Sequence, residues 1–416
     1  MEEEWKEYKL GEIFDFNNGL SKGGKFFGHG YDFVSFKTVF KNHFLPNTLD
    51  DLVESSKKER EKFSVKEGDV FLTRTSETQN ELAYSCVALK NYPNATYNGF
   101  TKRLRPNGKI KIDSIFSAYF FRSAIFRNQV TSMSNMVTRA SLSNEMLDRM
   151  SIKIPSYDLQ KTIGKILFSF DAKIQLNKRI NDNLEQQAQA LFKSWFVDFE
   201  PFKDGKFVES ELGMIPEGCR VGKAEDFYNI NIGKTPPRKE QVWFSSNSSD
   251  YIWVSISDLG SCGRFVLTSS ELLTHEAIKK HNIILVPKDT ILLSFKLTIG
   301  RVGIAGTELT TNEAIARFIT SDENREYTYF LLKGYNYEKL GSTSSIATAV
   351  NSKIIKAMVV LMPDKEILKA FSSLTKPYFD QILRNEQESI RLTILRDTLL
   401  PKLMSGELKI NAPEVL

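Results

Sequence analysis

The feature that most constrains this chain is that it repeats itself at half its length. Met150-Ser-Ile-Lys-Ile-Pro155 and Met358-Val-Val-Leu-Met-Pro363 each close an apolar strand with proline and then open a long helical pattern. Val65-Lys-Glu-Gly-Asp-Val-Phe-Leu-Thr73 is echoed by Val286-Pro-Lys-Asp-Thr-Ile-Leu-Leu-Ser294. Lys9-Leu-Gly-Glu-Ile-Phe-Asp-Phe-Asn-Asn-Gly19 has a weaker counterpart in Lys223-Ala-Glu-Asp-Phe-Tyr-Asn-Ile-Asn-Ile-Gly233. Two halves therefore share one plan, a globular module followed by a helix. The expected boundaries are a first module over 1–155, a first long helix over 156–197, a linker over 198–217, a second module over 218–363, a second long helix over 364–410 and a tail over 411–416.

Each module alternates short β-rich runs (31–36, 70–73, 251–256, 290–295) with Gly, Asn and Ser clusters, while 114–130 and 327–340 have helical composition. The expected class is α/β (α+β), as two globular modules and two long helices.

The helices carry the clearest periodicity. Residues 159–196 contain no proline and only Gly164 interrupts good helix formers, so a helix of about 58 Å is expected. Its apolar positions step by four and three through Ile163, Leu167, Phe170 and Ile174, turn polar at Asn177 and Asn181, and resume at Leu184, Ala188, Leu191 and Trp195. The second seam runs Ile367, Phe371, Leu374 and Tyr378, then Gln381 and Asn385, then Leu392, Leu395 and Leu399. Both are heptad seams with polar centres, which cost stability and select register and partner. Pro377 should locally kink or weaken the second helix. The short path from the first helix to the second module favours an antiparallel pair, with the modules at opposite ends of a rod.

Composition bounds the partners. The 56 Lys and Arg against 51 Asp and Glu leave a charge of +5, a tilt that permits nucleic acid without demanding it. The three cysteines, Cys86, Cys219 and Cys262, and the four histidines show neither disulfide nor metal-ligand spacing. Met1 is followed by three glutamates, the reverse of a signal-peptide start, and no apolar run approaches the roughly 20 residues that span a bilayer. A soluble, cytoplasmic chain is expected.

Catalytic patterns fail on inspection. Gly233-Lys234-Thr235 resembles the end of a phosphate-binding loop, but the first glycine of that motif would fall at Tyr228 and Pro236 follows. Gly300, Gly303 and Gly306 have hairpin rather than dinucleotide spacing, and Asp364, Glu366 and Lys369 stand where a helix begins. A non-catalytic binder is expected; an enzyme with an unrecognised site is the competing class.

Phosphates need Lys and Arg, and base edges need Arg, Asn, Gln, Ser and Thr on groove-sized elements. Basic, glycine-containing loops follow the first strand of each module: Asn17-Asn-Gly-Leu-Ser-Lys-Gly-Gly-Lys25 and Gly233-Lys-Thr-Pro-Pro-Arg-Lys239. The candidate DNA contacts are Lys22, Lys25, Arg74, Thr75, Lys102, Arg103, Arg105 and Arg139 in the first half. In the second they are Lys234, Thr235, Arg238, Lys239, Lys296, Arg301 and Arg317. Any one of these is more often a solvated surface residue, and their recurrence in both halves is what lifts the set.

Three stretches carry a family resemblance. Leu184-Glu-Gln-Gln-Ala-Gln-Ala-Leu-Phe-Lys-Ser-Trp-Phe-Val-Asp-Phe-Glu-Pro-Phe202, Glu211-Leu-Gly-Met-Ile-Pro-Glu-Gly218 and Leu395-Arg-Asp-Thr-Leu-Leu-Pro-Lys-Leu-Met-Ser-Gly-Glu-Leu408 resemble type I restriction-modification specificity subunits. Cys219 stands where that family often has Trp. The resemblance covers the whole layout. It implies that each module is a target recognition domain reading one part of a split, asymmetric double-stranded DNA sequence, with the helices setting the unread spacer. It also implies docking of two modification (methyltransferase) subunits, joined by restriction subunits. S-adenosylmethionine, ATP and Mg²⁺ would belong to those partners and no cofactor to this chain, in a bacterial or archaeal cytoplasm. A scaffold that does not read DNA, and service to a methylation-only system, are the alternatives.

Overall fold

A computed structural model describes residues 5–76, 81–133, 140–340 and 350–410. The chain forms two compact units, one made of the residues up to Lys173 together with those from Arg391 onward, the other of Ile174–Ile390.

In the first unit, strand Lys6–Lys9 pairs antiparallel with Ser151–Ile154 in the register Lys6 with Ile154 and Lys9 with Ser151. Leu10 N donates to Met150 O at 3.0 Å, so the first turn of the module is tied to the turn before the long helix. The main sheet has the order Phe14–Asn18, Thr101–Pro106, Val70–Thr73, Ser85–Val87, all antiparallel. Val70–Thr73 is buried along its whole length, which is why it reads as a continuous apolar run rather than an alternation. A smaller sheet joins Phe27–Val34 to Thr96–Tyr97 in parallel and to Leu52–Val53.

The second unit repeats this topology. Arg220–Lys223 pairs with Val359–Met362, and Ala224 N donates to Met358 O at 2.8 Å. Its main sheet runs Asn229–Ile232, Ile315–Ile319, Ile291–Ser294, Val302–Ala305, Phe265–Val266, and Tyr251–Val254 again pairs in parallel with a short strand, Thr310–Thr311. One echo escaped the sequence comparison. Phe33-Val-Ser-Phe36 and Trp253-Val-Ser-Ile256 both end a strand on a serine that caps the next helix, Ser35 accepting from Thr38 N at 3.1 Å and Ser255 from Asp258 N at 3.2 Å.

Two expected helices are shorter than their patterns. The 114–130 pattern splits into Ser114–Arg122 and Ala124–Met133, because Ser123 is extended and its buried hydroxyl donates to Phe120 O at 2.7 Å. The 327–340 pattern becomes Arg325–Lys333 and a short 3₁₀ turn at Tyr337–Leu340, broken at Gly334.

The long helices span Tyr157–Phe196 and Lys365–Ser405, the second continuing through Pro377. Gly164 is explained by packing: a Cβ there would meet Asp113 Oδ1 and Phe116 N at 3.1 Å, the capped start of Ser114–Arg122. Within the second unit the helices run antiparallel, with Asn177 beside Asn385 and Ser389, and Phe192 and Phe196 against Phe371. The polar centre is buried and bonded: Asn177 Nδ2 donates to Glu388 Oε2 at 2.8 Å and to Asn385 O at 3.3 Å, and Asn385 Nδ2 donates to Asn181 Oδ1 at 2.8 Å. Asn177 and Asn385 are equivalent positions of the repeat that touch each other, so this point is the local twofold of the helix pair.

The heptad seam needs correction around that centre. Ile163 and Leu167 are buried in the first unit's core, Phe371 is buried in the second, and Phe170, Ile174, Leu184, Leu191, Tyr378, Leu392 and Leu399 are half-buried. Leu374 is 46% exposed. Ahead of Asn385 the second helix instead buries Leu368, Phe371, Ser372, Thr375, Phe379 and Ile382, because that face packs on its own module, with Phe379 against Tyr329 and Phe330. The spacing of four and three is kept; what differs is the face, turned by about one residue from the seam towards the module that covers it.

The linker is folded as well. Phe207–Ser210 and Gly213–Pro216 form a hairpin, and Ile215 and Cys219 are buried beside Leu361. The end of the second helix belongs with the first module: Leu403 and Met404 enter its core and Gly406 lies against the Trp5 ring.

Candidate nucleic-acid interface

In each module three loops meet at one end of the main sheet, held by backbone bonds that recur residue for residue. In the first, Leu20 N donates to Tyr97 O at 2.7 Å, Asn98 N to Val34 O at 3.0 Å and Arg74 N to Phe100 O at 2.9 Å. In the second, Lys234 N donates to Thr311 O at 2.9 Å, Asn312 N to Val254 O at 3.0 Å and Phe295 N to Ala314 O at 3.0 Å. Gly19 and Gly233 are the crossing points: a methyl group on either would overlap carbonyl oxygens, of Tyr97 and Asn98 in one case and of Thr311 and Asn312 in the other. Asn98 Oδ1 accepts from Phe100 N at 2.7 Å and Asn312 Oδ1 from Ala314 N at 3.1 Å, two copies of one side-chain turn. Thr73 and Ser294, at the ends of equivalent strands, use their hydroxyls to brace the next loop, accepting from Tyr84 N at 2.9 Å and from Arg301 N at 3.1 Å.

The predicted contacts sort into those on this platform and those beneath it. Lys25, Lys239 and Lys296 are exposed, Lys25 lying over the Phe26 ring and Lys296 over Phe295. Arg74 and Thr75 are half-buried, Thr75 within the short ladder to Ser141. Lys234 donates to His281 O at 2.6 Å, Thr235 donates to Glu313, and Arg238 Nη1 donates to both carboxylate oxygens of Glu271 at 2.8 Å while the guanidinium covers the Trp253 ring. Glu313 sits among these groups. Burial alone would raise its pKa, but the Thr235 hydroxyl, with Lys296 and Arg238 nearby, holds it below the ordinary value.

The structure corrects the rest of the list. Lys102, Arg103 and Arg317 are only 3%, 5% and 2% exposed, on the strands next to the sheet edge. Lys102 Nζ donates to Asn18 Oδ1 at 3.1 Å and to Asn144, and its pKa is lowered by burial and by the Arg74 charge. Arg103 donates to Ser64 O at 2.7 Å, and Arg317 to Ile284 O at 3.0 Å and to Ile232 O. Arg105 is locked on the buried Asp69 through two bonds of 2.6 Å, Arg301 donates to Ile256 O at 2.6 Å, and Lys22 is held by Glu54 O and Glu59. These cations satisfy the protein's own acceptors: a strand's own sequence cannot show that both of its faces are covered by segments far away in the chain. Arg139 lies outside the described residues.

Sequence reasoning passed over the third loop, 97–101 and 311–314, whose tips carry the exposed Phe100 and the polar Glu313. The matched Thr96-Tyr-Asn98 and Thr310-Thr-Asn312 were a legible signal for it. Leu297, fully exposed with a left-handed φ of 59°, was also missed.

Among the described residues no group of His, Cys, Asp and Glu is placed to hold a metal ion, and no helix is long and apolar enough to cross a membrane.

Two modules of one topology, each ending in the same braced loop platform, together with a polar-centred helix pair, define a duplicated recognition protein. The model of the type I restriction modification DNA specificity domain matches twice, over residues 2–186 and 216–392, and the chain belongs to this family. It is 29% identical to the MjaIX specificity subunit of Methanocaldococcus jannaschii, over 78% of this chain and 75% of that one. It is 25% identical to the HindI specificity subunit of Haemophilus influenzae, over 97% and 100%. A type I restriction-modification S subunit from M. genitalium shares the fold with a TM-score of 0.56 at 13% identity, over 97% of this chain and 96% of that one.

Proposed function

We propose that this chain is the DNA-reading specificity subunit of a type I restriction-modification complex, each module recognising one part of a bipartite, asymmetric duplex site. The observation that carries this reading is the duplicated loop platform, one backbone frame presenting different side chains in two modules that both match the DNA specificity domain. Exposed Lys25, Lys239 and Lys296 suit phosphates, which position without specifying. The groups at the loop tips, among them Phe100, Thr235, Leu297 and Glu313, are the ones available to base edges and thymine methyls.

The long helices serve as spacer and as the docking surface for two modification subunits. Restriction subunits join the same assembly, and S-adenosylmethionine, ATP and Mg²⁺ bind those partners. The bonded asparagine centre supports this reading, because a buried polar contact tolerates one helix register and penalises slippage. Inserting one heptad in both helices should change the spacer preferred and leave the half-sites alone. Duplex carrying the cognate site should outcompete random duplex for the full complex, with affinity falling steeply as salt rises. Equal competition by random duplex defeats the proposal.

A further inference from the structure

Ile232 O and Asn18 O are equivalent carbonyls, each the last before the close-packed glycine, Gly233 or Gly19, that opens the first loop of its platform. Both are held from inside the sheet, by different side chains. In the first module Tyr97 reaches up and donates its hydroxyl to Asn18 O at 3.0 Å, with Arg103 lying over the Tyr97 ring at 5.1 Å and donating to Ser64 O. In the second, the residue at the Tyr97 position is Thr311, too short to span the gap, and its buried hydroxyl has no hydrogen-bond partner among the described residues. Arg317, the counterpart of Arg103, takes over, bonding Ile284 O with one nitrogen and Ile232 O with the other. One role is thus divided between two side chains in the first module and combined in one in the second.

We infer that Tyr97 and Arg317 are positioning residues for sequence recognition: each fixes the start of its module's base-reading loop without touching DNA. This rests on the DNA-reading function proposed above. The argument is geometric. The glycine that follows the carbonyl allows no side-chain contact of its own, so the buried donor sets where the loop departs from the sheet. Base discrimination requires placement of donors and acceptors to a fraction of an ångström, whereas phosphate attraction tolerates more. Loss of the donor should therefore blunt specificity more than affinity.

The test uses the full chain assembled with its modification subunits, selecting from a randomised duplex library that is then sequenced. The variants are Tyr97→Phe, Arg317→Gln and Arg317→Lys. The expected result is that Tyr97→Phe lowers base preference about five- to tenfold in one half-site only, the loss of one hydrogen bond, and that Arg317→Gln does the same in the other half-site only. Arg317→Lys, which keeps one donor, should recover part of that preference. Melting temperatures identify any variant that fails to fold. If Arg317→Gln does, Tyr97→Phe, which deletes a single oxygen, decides. Native preference in both halves for a folded Tyr97→Phe overturns the inference, as does equal loss in both. A wild-type complex that selects no sequence defeats the underlying reading instead.

Discussion

The platforms of the two modules share a frame and differ at their tips. Gly19 and Gly233, Asn98 and Asn312, Thr73 and Ser294 do the same work at equivalent places, whereas Gly99-Phe100 faces Glu313-Ala314 across the comparison. The frame is made of backbone carbonyls, glycines and short side-chain turns, which admit few substitutes. The tip backbone is tied into the frame, but the exposed side chains of Phe100 and Glu313 lie outside the cores, so they are free to diverge. Two copies of one architecture can then present different chemistry, which is what reading an asymmetric site requires.

The sharpest way to break this comparison is to attack the frame. Gly233→Val should destabilise the second module by about 3 kcal/mol or more, since its side chain must displace the Thr311 and Asn312 carbonyls, and urea unfolding followed by module-specific probes would record it. Gly19→Val should do the same to the first module alone. Next in size is the helix centre. Asn177→Ala removes the buried bonds from Asn177 to Glu388 and to the Asn385 carbonyl and should cost about 1–3 kcal/mol, read as a shift in urea midpoint.

The junction in the first unit gives a pH prediction. Burial would raise the pKa of Asp171, but the bonds from Tyr119 and Arg396, with the His43 ring 3.8 Å away, outweigh it and hold the carboxyl below its ordinary value. A depressed carboxylate pKa adds stability above the unfolded value, and that stability is lost as pH falls through the folded one. Urea midpoints should therefore drop as pH is lowered from about 4 towards 2, the range below the ordinary aspartate value. Asp171→Asn should start lower and drop less.

The smallest effects belong to the tips. Lys25→Gln, Lys239→Gln or Lys296→Gln should each weaken DNA binding a fewfold on all sequences and reduce the salt slope by about one. Phe100→Ala and Leu297→Asn should move stability by less than about 0.5 kcal/mol yet alter the bases preferred. Thermal melts beside library selection separate the two.

Much of this was legible in the sequence because repetition is visible without structure. The duplicated strand-proline-helix signal placed the strands Ser151–Ile154 and Val359–Met362 and the long helix after each, and the polar centre at Asn177, Asn181 and Asn385 emerged from periodicity alone. What stayed hidden had physical causes. The face of the second helix depends on what covers it, so Leu374 and Phe379 could not be ranked from spacing. Burial of Lys102, Arg103 and Arg317 depends on which strands flank theirs, information held far away in the chain. The third loop was missed because its signature is an asparagine turn rather than a charge.

The central claim is that two equivalent platforms read two separate stretches of DNA. It is tested most directly by selecting a randomised duplex library with the full complex and sequencing the winners for the wild-type chain, Phe100→Ala and Leu297→Asn. The account predicts two fixed blocks of bases separated by an unread spacer, with Phe100→Ala blurring one block and Leu297→Asn the other. A single continuous block, or both variants blurring the same one, would contradict it.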